Sequence, residues 1–329
     1  MNARADYPGL QEVVIGDDLT PWVSAESYWH PRRIVLSAWL EHAPFAFWIT
    51  NALKPSTFVE LGTHNGFSFY TFCEAARRLR LPLRAYALDT WQGDDHAGFY
   101  GEEIFADVDA VRAEQYPDMA VLLRGYFEES VDKFDDGSVD LLHIDGRHGY
   151  EDVKEDFESW LPKVADHGIV LFHDIAEHEN GFAVWQLWDE LTATYPSFTF
   201  HHGHGLGVLS VGTVIPEPLR ALFDATDEEA DAIRAFYSDQ GQIITERYLK
   251  YLEIANLRAE IDALNAKSAE LETRLDATVQ HVNAQLGEMA GSYSWRLTSP
   301  LRRVVARVPA PARRTLRAGA RRVLRVFRR

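Results

Sequence analysis

The sequence predicts an α/β fold, in which a mostly parallel β-sheet carries helices on both faces and has an antiparallel edge. Three observations lead there. Between residues 57 and 212 short apolar runs alternate with segments of helical spacing, the pattern of repeated β-α units. The last two runs, Ser197–His202 and Gly207–Val211, are joined by a tight turn containing glycine and read as an antiparallel hairpin, which the edge of such a sheet accepts. Finally, 46% of the 329 residues are hydrophobic, enough to bury a sizeable core in about two domains.

Along the chain, residues 1–50 read as an N-terminal helical cap crowded with Trp22, Tyr28, Trp29, Trp39, Phe45, Phe47 and Trp48. The α/β domain then occupies residues 51–215. It opens with the strand Thr57–Leu61, a glycine turn over 62–66 and a helix over Phe67–Leu81. A second strand, Arg84–Asp89, leads into a polar, aromatic loop, Trp91–Tyr100. Helix Glu102–Tyr116, strand Met119–Arg124 and a short helix, Glu128–Phe134, follow. Strands Val139–Asp145 and Gly168–Ile175 flank the amphipathic stretch Tyr150–Val164, and helix Phe182–Tyr195 precedes the hairpin.

Pro216 and Pro218 mark a boundary, beyond which residues 216–290 are helix-forming. Leu257, Ile261, Leu264, Ser268, Leu271, Leu275, Thr278, Val282, Gln285 and Met289 alternate by four and three. That heptad seam predicts a coiled coil and a homo-oligomer. Residues 291–329 hold twelve arginines and no acid, so the remaining 290 residues carry 21 basic against 50 acidic side chains. An acidic body repels nucleic acid, so none is expected as a partner. In the tail, Leu301, Val304, Val305 and Val308 form one apolar stripe, and Leu316, Ala320, Val323, Leu324 and Phe327 a second. A basic amphipathic tail of this kind suits an anionic membrane surface. Cys73 is the one cysteine, which excludes an internal disulfide and a cysteine-rich zinc module and fits a reducing compartment. Residues 1–10 show no apolar leader, and no run of 18 apolar residues occurs. The expected location is cytoplasmic, peripheral on the inner face of the cell membrane.

Chemistry concentrates at the predicted strand ends. The turn Glu60-Leu-Gly-Thr-His-Asn-Gly66 is not a Gly-x-Gly-x-x-Gly dinucleotide turn. Gly62 and Gly66 let a ligand approach the backbone, and Glu60 favours a cationic ligand, such as the sulfonium and ammonium of S-adenosylmethionine, over a diphosphate. Asp89, ending the second strand, is placed to accept hydrogen bonds from ribose hydroxyls. Asp145-Gly-Arg-His148 and His173-Asp174 end two further strands and should face one crevice if those strands are neighbours. Asp145 and Asp174 could then hold a divalent cation such as Mg that acidifies an acceptor hydroxyl, or His148 or His173 could act as general base with Asp145. Trp91, Asp94, His96 and Tyr100 form a candidate substrate loop.

On Phe58–Gly66, Asp89–Tyr100, Asp140–Tyr150, Val170–Asp174 and His202–Gly207, the chain resembles class I S-adenosylmethionine-dependent methyltransferases. More narrowly, it resembles the group found with bacterial polysaccharide and O-antigen biosynthesis. The resemblance covers about residues 40–212. It implies a Rossmann-like, doubly wound, mostly parallel seven-stranded sheet with a reversed seventh strand, and cofactor contacts at Glu60, Gly62, Gly66 and Asp89. The expected function is O-methylation of a hydroxyl on a sugar or glycan intermediate. Two other readings stay open: a metal-dependent, hydroxylase-like tailoring enzyme on the same fold, and a non-catalytic scaffold in a glycan-assembly complex.

Overall fold

The computed structural model of the chain describes residues 21–94, 98–309 and 312, with the Asp94 side chain excepted. They divide into two compact units, one reaching Leu252 and one beginning at Glu253. In the first, the N-terminal cap is built of 3-10 turns at Ala25–Tyr28 and Leu40–His42 and of helix α1 (Ala43–Leu53), which starts with Pro44 in its first turn. Strand β1 (Thr57–Leu61) leads through the glycine turn into α2 (Phe67–Leu79) and then β2 (Arg84–Asp89). The loop expected after β2 carries a miniature hairpin, β3 (Gly93–Asp94) and β4 (Gly98–Phe99). Helix α3 (Glu102–Gln115), β5 (Ala120–Arg124), a 3-10 turn at Val131–Lys133 and β6 (Val139–Ile144) come next. Then follow α4 (Tyr150–Trp160), β7 (Val164–His173), α5 (Val184–Thr192), β8 (Ser197–Phe200) and β9 (Leu206–Ser210).

Seven of these strands form one sheet in the order β5-β2-β1-β6-β7-β9-β8. Pairing is parallel from β5 to β7, and β9 runs antiparallel to both neighbours. The reversed strand is therefore the seventh of the sheet in chain order, one place in from the edge. Side chains alternate between two cores, as the period of two requires. Phe58, Ala85, Leu141 and Leu171 face α1, α2 and α3, whereas Val59, Leu88, Leu142 and Val170 face α4 and α5. The strand order reverses between β1 and β6, and a ligand crevice is expected beyond their carboxyl ends.

Helices α6 (Glu217–Phe223) and α7 (Asp227–Gly291) depart from the domain boundary expected near residue 215. Ala230, Ile233, Tyr237, Gly241 and Ile244 of α7 are buried in the core of the first unit. The Tyr237 ring meets Phe45 and Phe200 at 5.4 and 5.5 Å, and its hydroxyl donates to the Trp22 carbonyl at 2.7 Å. Gly241 lies so close to the Glu41 backbone that a Cβ would stand 2.3 Å from its carbonyl oxygen. From residue 253 to 291 every position of α7 is exposed, including the apolar residues of the heptad seam. In the second unit, α8 (Tyr293–Leu297), capped by the Ser292 hydroxyl, and α9 (Ser299–Ala306) expose Leu297, Leu301 and Val304. The second apolar stripe of the tail, Leu316 to Phe327, lies outside the described residues. No helix among them is long and apolar enough to cross a membrane.

Candidate active site

Two adjoining cavities open over the reversal point, of about 490 and 460 Å³, and share Gly62, Asp89 and Gly146. The larger lies among the ends of β2, β5 and β6 and helix α4, where Tyr126, Phe127, Arg147 and Asp156 line it. The smaller lies over β1, β6 and β7, lined by Thr63, Ser68, Tyr100, Asp145, His148 and Asp174 among others.

The glycine turn is locked to its neighbours. Gly62 has φ +87°, and a Cβ there would stand 2.0 Å from the Asp145 carbonyl oxygen, so only glycine lets the two strand ends approach. The Gly62 amide donates to the Leu88 carbonyl and the Asp145 amide to the Leu61 carbonyl, at 2.9 and 2.8 Å. Asp89 accepts three backbone N–H bonds. Thr63 and His64 donate to Oδ2 at 2.9 and 2.8 Å, and Trp91 donates to Oδ1 at 2.6 Å. With two lone pairs per oxygen, only Oδ1 keeps an acceptor position for a ribose hydroxyl. Asp89 thus holds the loops around the crevice as well as lining it. His64, Trp91 and Asp174 all take left-handed φ values, between 47° and 58°, which these packed loops hold in place.

The Asp145 and Asp174 carboxylates and the His148 and His173 imidazoles do converge, because β6 and β7 are neighbours. His148 Nε2 is 2.8 Å from Asp174 Oδ2 and 3.8 Å from Asp145 Oδ1. His173 Nδ1 is 3.1 Å from Asp145 Oδ1 and 3.3 Å from Asp174 Oδ2, and its Nε2 lies 3.1 Å from the Gly203 carbonyl oxygen. A carbonyl can only accept, so Nε2 carries one proton, and Nδ1, facing two carboxylates, carries another. Burial alone would lower His173, yet Asp145 and Asp174 outweigh it and hold the ring as a cation. For His148 burial again works downward, and the same carboxylates push it up to about 9. Burial favours the neutral form of both acids, but His173 and His148 pull Asp145 down to about 2 and Asp174 well below the usual carboxylate range. Phe182 stacks on the His148 ring at 4.3 Å and fixes its plane.

Ligand atoms from Asp145, His148 and Asp174 lie within 4.8 Å of one another, close enough for one cation. Two hard carboxylate oxygens and an imidazole fit a divalent ion, and the imidazole suits a first-row transition metal better than Mg. His173 positions this set from behind. It is buried and hydrogen-bonded on both nitrogens.

Other expected residues lie elsewhere. Glu60 points to the α2 side of the sheet, the same side as Phe58, because it is an even step along β1. It is fully buried, pairs with His143 Nδ1 at 2.9 Å directly across the ladder, and does not line either cavity. Burial raises its carboxyl, and the His143 hydrogen bond works against that rise. Gly66, with φ +73°, starts α2 against the Tyr70 ring and stands back from both cavities. Trp91 is 1% exposed, and its ring N–H donates to the His64 carbonyl, so it packs the loop rather than facing a ligand. Tyr100 does line the smaller cavity, stacked on His64 at 4.8 Å. His96 and the Asp94 side chain lie outside the described residues. Sequence reasoning missed Asp156 and Phe182, which no local motif distinguishes.

Residues 59–175 match the family described as a methyltransferase domain. The chain is 46% identical over 247 residues to the uncharacterized protein y4gI of Sinorhizobium fredii, a match spanning 74% of this chain and 26% of that protein. This chain therefore covers about a quarter of that curated relative. Among solved structures it is similar to the O-methyltransferase TomG of Streptomyces achromogenes, crystallised with S-adenosylmethionine (TM-score 0.41, 14% identity, 58% of this chain and 97% of that one). It is also similar to the Podospora anserina methyltransferase PaMTH1, bound to S-adenosylhomocysteine (0.38, 15%, 54% and 88%). Spermidine synthase of Thermotoga maritima matches at a comparable level (0.41, 11%, 62% and 75%). The match to a methyltransferase domain thus spans the strands that frame the crevice, on a Rossmann-like sheet whose seventh strand is reversed.

Proposed function

We propose that this chain is an S-adenosylmethionine-dependent O-methyltransferase acting on a hydroxyl of a sugar or glycan intermediate. The observation that carries the reading is the shared wall. The Asp145–His148–Asp174 cluster and the glycine turn line one cavity, which continues past Gly62 and Asp89 into a second. Two joined cavities suit a ligand with a nucleoside at one end and a charged arm at the other. Thr63 Oγ1 is buried in that arm's cavity with no hydrogen-bond partner among the described residues, a polar atom suited to the cofactor's amino-acid end. Tyr100 and Phe182 offer ring faces beside Asn65, Glu177 and Asn180, a mixture suited to a polyhydroxylated acceptor.

S-adenosylmethionine supplies the methyl group on a positively charged sulfonium when bound. The protein's part is to hold acceptor and methyl in line and to remove the acceptor's proton. In the ligand-free cluster His148 is held protonated by Asp145 and Asp174, so it cannot take a proton at neutral pH. To act as the base, His148 would first give that proton up to solvent, after which Nε2 could accept the hydroxyl proton. The alternative use of the same atoms is to hold a divalent ion through Asp145, His148 and Asp174, which lowers the hydroxyl's own pKa when present.

Methyl-labelled S-adenosylmethionine, incubated with nucleotide-linked and lipid-linked sugars, should transfer label to a sugar hydroxyl. Asp145→Asn and His148→Ala should each lower turnover about 10²–10⁴-fold while leaving cofactor affinity nearly unchanged. Loss of activity on chelation selects the metal route, and activity surviving chelation selects His148 as base. Cofactor binding without transfer to any acceptor would favour a scaffold instead.

A further inference from the structure

The larger cavity holds a carboxylate with no task in the chemistry above. Asp156 lines it from α4; among the described residues its carboxylate has no hydrogen-bond or ion-pair partner, while its backbone carbonyl accepts from the Ser159 hydroxyl. Its neighbours in the cavity wall include Gly146 and the Phe127 ring. A Cβ built on Gly146 would stand 3.3 Å from Asp156 Oδ2 and 2.6 Å from the Phe127 ring, so acid and ring flank the same glycine. Tyr126 and Phe99 line the cavity with 61% and 78% of their surface exposed, an unusual outlay for large aromatics. Exposed ring faces beside a lone polar group suit a planar, heteroaromatic base.

Resting on the S-adenosylmethionine reading, we propose that Asp156 recognises the Watson–Crick edge of the cofactor's adenine: its carboxylic O–H donates to N1 and its C=O accepts from the N6 amino group. This pairing needs the protonated acid, since an ionised carboxylate has nothing to donate to N1. The surroundings keep that proton within reach of neutral pH. Burial, then Asp152 and Glu155 on its own helix and Glu128 from the loop after β5, push Asp156 up to about 7. Of the other charged groups at this cavity, Arg147 sits 3.8 Å from Asp152, and Asp89 is held by backbone amides on the far wall. Neither neutralises Asp156. The site therefore takes up a fraction of a proton with the adenine, and affinity falls as pH rises past 7.

Isothermal titration calorimetry with S-adenosylhomocysteine on the full chain tests this. Wild-type protein should bind about tenfold more weakly at pH 8 than at pH 6, the span expected for one required proton with a pKa near 7. Asp156→Asn keeps a donor and an acceptor at every pH, so it should bind at both pH values as tightly as wild type does at pH 6. Asp156→Ala should bind weakly and without pH dependence. A flat wild-type profile, or a slope that persists in Asp156→Asn, overturns the assignment of Asp156 while leaving the cofactor reading in place. No binding of S-adenosylhomocysteine to wild type at either pH removes both.

Discussion

Replacing Asp89 by alanine separates two roles that the sequence alone cannot tell apart. If Asp89 served only to accept from a ligand's ribose, the ligand-free protein would lose little. The structure instead gives it three backbone donors, the amides of Thr63, His64 and Trp91, at 2.6–2.9 Å, on a residue 8% exposed. Hydrogen bonds to a charged group contribute about 1.5–3 kcal/mol each, and the lower figure applies where water can reach the crevice, giving about 4–5 kcal/mol in all. Two of the residues released, His64 and Trp91, sit at left-handed φ and would relax once untied. For a unit of this size about 2–4 °C of melting temperature is lost per kcal/mol, so Asp89→Ala should melt about 10–15 °C lower than wild type without any ligand. Differential scanning calorimetry on both proteins measures it directly. A drop under about 3 °C, or about 1 kcal/mol, would refute the loop-holding role and return Asp89 to ligand contact alone.

Alkaline pH should also destabilise the ligand-free protein. His148 is raised from 6.5 to about 9, so its contribution is fully present below 6.5 and lost as pH climbs through 9, with His173 shifting in the same direction. The melting temperature should fall between pH 7 and 10, and the slope should be shallower in His148→Phe; equal slopes would count against the cluster as its source. Asp145 works at the opposite end, contributing above its ordinary value of 3.8 and losing that contribution as pH falls through about 2. The heptad seam predicts that the full chain self-associates and that Leu264→Lys with Leu271→Lys reduces it to a monomer, read by light scattering; a wild-type monomer at high micromolar concentration ends that reading. Deleting residues 291–329, with their twelve arginines, should release the protein from anionic liposomes and leave binding of S-adenosylhomocysteine unchanged. Equal sedimentation with neutral and anionic vesicles would dismiss the electrostatic part.

The legible parts of this protein are those governed by local periodicity. Strand and helix order from Thr57 to Ser210 follows the alternation of apolar runs, and the convergence of Asp145, His148, His173 and Asp174 follows once two strands ending in polar residues are placed side by side. The face on which a strand residue lies is decided by parity, and at Glu60 this puts the acid of the strand end against His143 under α2, outside the lining of both cavities. Trp91 looked like a loop aromatic offered to substrate, but burial of an indole beside Phe105 outweighs exposure at a cavity rim. Asp156 sits in the run Glu151-Asp-Val-Lys-Glu-Asp-Phe-Glu158, where spacing alone makes it one more solvated acid on a helix. Only the cavity beside Gly146 distinguishes it. The seat of α7 was hidden for another reason. Ala230, Ile233, Tyr237, Gly241 and Ile244 repeat at helical spacing much as the later heptads do, and nothing in the pattern says which stretch faces the protein's own core.

That seat bears on what counts as the transferable piece of this protein. The family match ends at residue 175, and the last strand of the sheet ends at Ser210, yet Phe45 and Phe200 are roofed by Tyr237 from α7. A chain cut at residue 215 would bare those rings and forfeit the burial of Ile233 and Ile244, about 1.5–3 kcal/mol for each side chain. It would also unroof the 3-10 turn Leu40–His42, whose Glu41 backbone rests against Gly241 and which follows directly on Trp39 at the edge of the smaller cavity. Domain shuffling, whether by recombination in a genome or by a protein engineer grafting the α/β body onto another scaffold, must therefore carry the opening turns of the helix along. The module is longer than the family match, and its seam falls within a helix rather than in a linker.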